Sequence, residues 1–427
     1  MTNSKFIVEG LAGKKTLEGV IPVKGAKNAI LKSLAATILF EDEVRLENVP
    51  EIEDVSRMGE LLTSLGADFK KEGDGVYAVS TKNVTKFDLD DTIARRLRAS
   101  IVFTGPLLAR FGNVSFPHPG GDLIGPRPIN LFLDGFKKMG AKVELADDRY
   151  TVSTAQGLVG TEIFFLFMSV TATETLMMAA VGAKGKTVLK NAAMEPEIVE
   201  LANFLTECGA RITGAGTPTI EIEGTGMLKT NGRSWYTVPD RIEAGTFLLL
   251  GALAAKELTI TDCIPAHAEM LIELLRESGT SIETTATTIT VKGNGNPRAL
   301  TVRTHEYPGF ATDMQPPMVV YLTQAEGEST LFETIWGGRL NYTKDLVRMG
   351  AKIDLLNPQQ ISIQGPAALT GADLESPDIR AGLAFLMGAT IATGTSTISH
   401  VYHIDRGYEK IEQRLQALGL NIKREET

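Results

Sequence analysis

The chain has 427 residues, 43% of them apolar, enough for about two domains with real cores. Its 43 Lys and Arg against 52 Asp and Glu give a net charge of −9, which argues against nucleic acid or an anionic membrane as a bulk partner but leaves room for a small anion in a locally basic cleft. The two cysteines, Cys208 and Cys263, belong to no CxxC or Cys/His cluster and the five histidines are scattered, so no metal site, no disulfide framework and no cofactor is read.

The first ten residues lack the basic-then-apolar layout of a secretory signal. Apolar runs such as 247–255 are broken well short of the roughly 18 residues that a membrane span needs. The expectation is a soluble, cytoplasmic protein.

Six times a helical stretch ends at a glycine and is followed by a β-branched alternating run. The glycines are Gly66, Gly140, Gly209, Gly279, Gly350 and Gly419, spaced 69 to 74 residues apart. Each suits the left-handed residue that closes a helix C-terminus. The run after it reads as a strand that pairs with a second, as in Ile353-Asp-Leu and then Ile361-Ser-Ile. Earlier in each unit an Ala-rich apolar helix precedes a Thr/Val strand, as in 247–253 before Leu258-Thr-Ile-Thr and 386–392 before Ser396-Thr-Ile-Ser. The predicted unit is therefore helix, strand, helix, strand, strand, in the α/β (α+β) class, with all-round apolar helices such as 247–255 in the interior. A period near 70 is long for a solenoid, and no terminal unit has a polar cap, so two closed domains of three units each fit better.

The repeat also aligns the starts of the apolar helices at Lys27, Arg98, Ser169, Arg241, Asp313 and Arg380, 67 to 72 residues apart. Helix N-termini expose N–H groups and a positive dipole end. Gathered together with three arginines and a lysine, they would make an anion-binding cleft. Local pairing of each cation with an acid is the alternative. Within the second unit lies Pro117-His118-Pro119-Gly120-Gly121-Asp122-Leu123-Ile124-Gly125-Pro126-Arg127-Pro128, with four prolines and three glycines in twelve residues. No helix or strand survives that composition. It suits a plain surface loop as well as a lid that presents Asp122 and Arg127, and His118 reads as solvated.

At these residues the chain resembles the enolpyruvyl transferases. The matching motifs are Gly25-Ala-Lys27-Asn28-Ala, Arg98-Ala-Ser, the Pro-Gly-Gly-Asp122 loop with Arg127-Pro128, Ser169-Val170, Glu195-Pro-Glu-Ile-Val, Pro239-Asp240-Arg241-Ile-Glu, Thr312-Asp313-Met-Gln, Arg339, Asp378-Ile-Arg380-Ala and Tyr402-His403-Ile-Asp405-Arg406-Gly-Tyr. They run in order from about residue 5 to 425 on the sixfold scaffold.

The resemblance implies two inside-out α/β barrel domains with the active site in the cleft between them, one made of 1–25 and 238–427 and the other of 26–237. It implies transfer of the enolpyruvyl group of phosphoenolpyruvate to the 3-hydroxyl of UDP-N-acetylglucosamine with release of phosphate, the first committed step of peptidoglycan synthesis. Shikimate 3-phosphate or another nucleotide as acceptor, and an inactive sugar-nucleotide-binding paralogue, are the alternatives. By resemblance Lys27, Asn28, Arg127, Arg339, Arg380 and Arg406 hold phosphoenolpyruvate, with Lys27 and Arg406 also catalytic. Arg98, Arg127, Pro128, Ile129, Asn130, Leu131, Phe167, Ser169, Val170, Asp313 and Ile335 line the nucleotide sugar. Asp313 takes the proton of the attacking hydroxyl, and Asp122 is the loop acid/base. The oligomeric state is not read; a monomer is compatible.

Four positions depart from the family pattern. Asp122 stands where most members have Cys, which implies insensitivity to fosfomycin, an antibiotic that alkylates that thiol. Phe167 stands where some have Lys, Thr171 where Gly is usual, and Gly337-Gly338 where Glu-Asn is common. Glu195, Asp240, Arg241 and Asp378 are read equally as structural charges and as direct participants.

Overall fold

Each of the six repeat glycines adopts a positive φ, between 90° and 108°, and the amide that follows it reaches back to close the helix. Ala67 N–H bonds to Leu62 O and Ala351 N–H to Leu346 O, and the other four repeats do the same at 2.9 to 3.1 Å. This is the six-to-one bond of a Schellman stop, used six times to turn a helix into a strand. The hairpins follow as expected: Ile353 faces Ile363 and Leu355 faces Ile361 between strands Lys352–Asn357 and Gln360–Gly365.

The computed structural model describes residues 4–120, 128–293, 295 and 297–426; Asp122 and Arg127 lie outside the described residues. The chain forms two compact units. One comprises the described residues up to Lys24 and from Pro239 onward, the other those from Gly25 to Val238.

In each unit three apolar helices form the interior and sheets lie outside them. Helices Lys27–Ala36, Thr104–Phe111 and Val170–Val181 serve the second unit; Arg241–Ala254, Gln315–Leu322 and Ile379–Ile391 serve the first. From Ile242 to Ala254 every residue is buried, because no face of that helix is polar enough to meet water. The strands alternate instead, as Thr219–Glu223 does with Ile220 and Ile222 inward. This is the inside-out α/β arrangement, with one hydrophobic core per unit.

The repeat differs from the expected unit in one respect. Among the described residues, five sheets have a further strand that runs parallel to the strand after the interior helix, for example Glu162–Phe164 beside Lys186–Lys190 and, from far along the chain, Ser234–Tyr236 beside Val44–Glu47. The sixth sheet has three strands, with an isolated parallel bridge, Asp88 to Ser115, in the equivalent place. Four of these added strands have only three residues, too few for alternation to register. The last sheet is completed by the N-terminal strand Ser4–Glu9, which lies between Thr395–Ser399 and Ile422–Glu426.

Close helix packing in the second unit depends on Gly105. A Cβ there would lie 2.1 Å from the Thr175 carbonyl oxygen of the neighbouring interior helix. Gly105→Ala is expected to destabilise the protein by about 2 kcal/mol through forced separation of the helices, measured as a lowered urea midpoint with an unchanged m-value.

Candidate active site

In the first unit, two helix starts and the turn ahead of helix Thr343–Arg348 bring Asp313, Arg380 and Arg339 into one cluster. Asp313 sits in the short turn Thr312–Met314 that leads into helix Gln315–Leu322. Its Oδ1 accepts from Arg339 Nη2 at 2.9 Å, and its Oδ2 accepts from Arg380 Nη2 at 2.9 Å and Nε at 3.1 Å. The arginine side chains are 4% and 7% exposed, but the Asp313 side chain is 29% exposed, so the carboxylate is the wet end of a buried cationic wall. Burial alone would raise the Asp313 pKa. Arg380 and then Arg339 outweigh it and hold the carboxyl well below the usual carboxylate range.

The wall is braced from behind. Arg380 Nη1 donates to the Tyr408 hydroxyl at 3.0 Å, and Arg339 Nη1 to Thr312 Oγ1 at 2.9 Å. Thr312 Oγ1 in turn donates to Glu333 Oε2 at 2.8 Å. Glu333 is fully buried and its Oε1 also accepts from the backbone N–H of Ile335 (2.9 Å) and Trp336 (3.1 Å). The Ile335 amide is thus already engaged, and its carbonyl is the backbone group it can offer a ligand. Arg406 is 5% exposed, directly after the short helix Tyr402–Asp405. The neighbouring Asp405 carboxylate is held by Arg424 through contacts of 2.7 and 2.8 Å. Beside Arg339 the same unit contains a cleft of about 700 Å³, lined in part by Tyr342, Ser376, Asp378 and His403.

The motif acids Asp240 and Asp378 have a local role. Asp240 accepts from the Ile242 and Glu243 amides, and Asp378 from the Arg380 and Ala381 amides, each at 2.8 and 3.0 Å. They are the N-caps of two interior helices. Arg241 stacks over the Tyr307 ring at 5.4 Å.

In the second unit, Lys27 opens helix Lys27–Ala36, whose N-cap is Ala26 and so offers no side-chain acceptor to the first turn. Its ammonium lies 2.8 Å from Asp54 Oδ2, and both residues are buried. Asp54 belongs to the first turn of helix Glu53–Leu65, and nothing in its sequence pattern marks it. Asn28 follows on the same turn. Arg98 opens the 3-10 turn Arg98–Phe103 and makes a long contact, 3.5 Å, to the Pro119 carbonyl. Ser169 caps helix Val170–Val181 through the Ala172 amide at 3.3 Å. Glu195 precedes helix Pro196–Glu207 and is buried.

The expected nucleotide-sugar segments present fewer side chains than their length suggests. Pro128 and Asn130 are exposed, but Ile129 is 2% exposed and Leu131 packs against the core, so their main chain is what remains. Phe167 is 52% and Leu166 85% exposed; this apolar pair can stack on a base or sugar but cannot pair with phosphate. The thiols of Cys208 and Cys263 are buried, and burial pushes both pKa values up to about 11, so neither supplies a thiolate nucleophile.

Residues 11–415 match the family described as EPSP synthase (3-phosphoshikimate 1-carboxyvinyltransferase). The chain is 42% identical over 423 residues to the UDP-N-acetylglucosamine 1-carboxyvinyltransferase of Solibacter usitatus, covering 99% of this chain and 100% of that one. It is 44% identical over 413 residues to the protein of the same name in Magnetococcus marinus, covering 96% and 98%. Among solved structures, the enolpyruvyl transferase NikO from Streptomyces tendae superposes with a TM-score of 0.87 at 23% identity, over 100% of both chains; at that identity the likeness speaks for the fold.

Proposed function

This chain belongs to the EPSP synthase family of enolpyruvyl transferases, and from that premise we propose that it transfers the enolpyruvyl group of phosphoenolpyruvate to the 3-hydroxyl of UDP-N-acetylglucosamine, releasing phosphate. The reaction is the first committed step of peptidoglycan synthesis. The observation that carries the reading is the Asp313 carboxylate clamped between two buried arginines, in a chain whose full-length relatives carry that acceptor in their names.

Phosphoenolpyruvate has a phosphate and a carboxylate on three carbons, and guanidinium forks match both anions. Lys27, Asn28, Arg127, Arg339, Arg380 and Arg406 are the proposed holders. Arg98, Arg127, Pro128, Asn130, Ser169, Val170 and Phe167, with the main chain of Ile129, Leu131 and Ile335, are the proposed contacts of the nucleotide sugar. Asp313 orients the attacking hydroxyl and takes its proton. With both arginines on it, this carboxylate is a weak base; an anionic substrate that draws Arg339 and Arg380 toward itself loosens their hold and raises its proton affinity. Asp122 delivers a proton to the methylene carbon during addition and removes one during elimination.

The test is phosphate release from phosphoenolpyruvate with each acceptor in turn. UDP-N-acetylglucosamine should support turnover and shikimate 3-phosphate should not. Release with shikimate 3-phosphate alone would reassign the acceptor, and release with neither would leave a binding protein.

A further inference from the structure

Two interior helices of the second unit, Lys27–Ala36 and Val170–Val181, each carry a charged residue that meets the other's inside the core. Lys32, 7% exposed, and Glu174, fully buried, face each other with Nζ 3.3 Å from Oε2. Lys32 lies among Ile30, Leu31 and Leu34, and Glu174 lies just before Leu176 and Met177, all buried. Apolar residues at both positions would suit such a core. Burying a charge pair gains little or no stability over a well-packed apolar pair, because desolvation offsets the attraction. A stability role therefore leaves this pair unexplained.

Its geometry supplies another role. Side chains on a helix point back toward the N-terminus, and the Lys32 stem runs back one turn, where Nζ donates to the Asn28 carbonyl oxygen at 2.6 Å. Asn28 and Lys27 form the first turn of that helix. Glu174 stands one turn into the helix capped by Ser169. The pair thus bolts together two helix starts that carry proposed substrate contacts. We propose that Lys32 and Glu174 are positioning residues that lock the Lys27–Asn28 turn against the Ser169 helix start and so set the affinity for phosphoenolpyruvate. Glu195 and Glu197, both buried, repel Glu174, and with burial as the largest cause its pKa rises to about 8 despite Lys32. Lys32 is the cation that opposes this rise, so loss of either partner releases the other.

The proposal rests on the enolpyruvyl transfer reading, and wild type must turn over for it to be tested. Lys32→Met should raise KM for phosphoenolpyruvate about tenfold with kcat within about threefold, the signature of lost uniform binding. Lys32→Met combined with Glu174→Leu removes both buried polar groups and should melt at or above the wild-type temperature, yet keep the raised KM. Lys32→Arg, which keeps the donors, should restore KM to within about twofold. A wild-type KM in the double variant overturns the proposal. If that variant does not fold, a wild-type KM in the single Lys32→Met variant does the same. Failure of wild type to release phosphate sinks the reading beneath it instead.

Discussion

Asp313→Asn is expected to lower kcat by about 10²- to 10⁴-fold, the range for loss of a positioned general base, with a much smaller change in the KM for either substrate. Stability should fall as well. Arg339 and Arg380 would keep their burial and lose their shared anion, and breaking such a pair costs about 3 kcal/mol. The pH dependence follows from the direction of the Asp313 shift. Its folded pKa is depressed, so its contribution is present above the ordinary carboxylate value of about 3.9 and fades as pH drops below that value. Urea denaturation of wild type and variant should therefore differ by a constant amount from about pH 8 to pH 5 and converge only below about pH 4. A gap that closes between pH 7 and pH 5 would mean that Asp313 is not the group held by the arginines.

The second large effect concerns Asp122. Asp122→Asn should reduce turnover by about 10²- to 10⁴-fold if this residue carries the proton; near-normal turnover removes it from that role. Asp122→Cys should retain activity and become sensitive to fosfomycin, which alkylates a thiol but finds none at this position in the native chain. The pH profile distinguishes the two acids further. An aspartic acid in water titrates near about 3.9 and a thiol near about 8.5. Two substrate anions and exclusion of water raise the pKa of the bound aspartic acid, while neighbouring arginines lower it. The alkaline limb of kcat should therefore lie at higher pH in Asp122→Cys than in wild type. Coincident limbs would place the titrating group elsewhere.

What the sequence made legible was whatever repeats. The stops at Gly66 through Gly419 carry a conformational demand that one residue type meets best, and five nearly equal spacings multiplied that signal. The interior helices were legible because an all-round apolar stretch has one low-energy destination. The added parallel strands were not, since three residues such as Glu162–Phe164 hold at most two inward side chains. Pairings across long sequence distances were equally hidden. Asp54 beside Lys27, Glu174 beside Lys32 and Tyr408 beside Arg380 depend on helix packing that no local pattern encodes. The aligned helix starts allowed either cations presented to a ligand or cations paired with local acids. Lys27 and Arg380 each meet an acid, as does Arg339, so an incoming anion must compete with a resident carboxylate. Asp240 and Asp378, read equally as structural and direct, serve as helix caps, a role their position just before an apolar run signals.

The placement of strand Ser4–Glu9 governs the order of assembly during synthesis. Its two neighbours, Thr395–Ser399 and Ile422–Glu426, are translated almost a whole chain later, which at about 5 to 20 residues per second is a delay of roughly 20 to 80 s. Residues 25–238 close their own sheets and can collapse while the ribosome is still moving. The first strand meanwhile remains an open edge with unmatched amides, a target for chaperones and for other nascent chains. Vectorial synthesis therefore leaves a strand made before residues 25–238 to be secured after them.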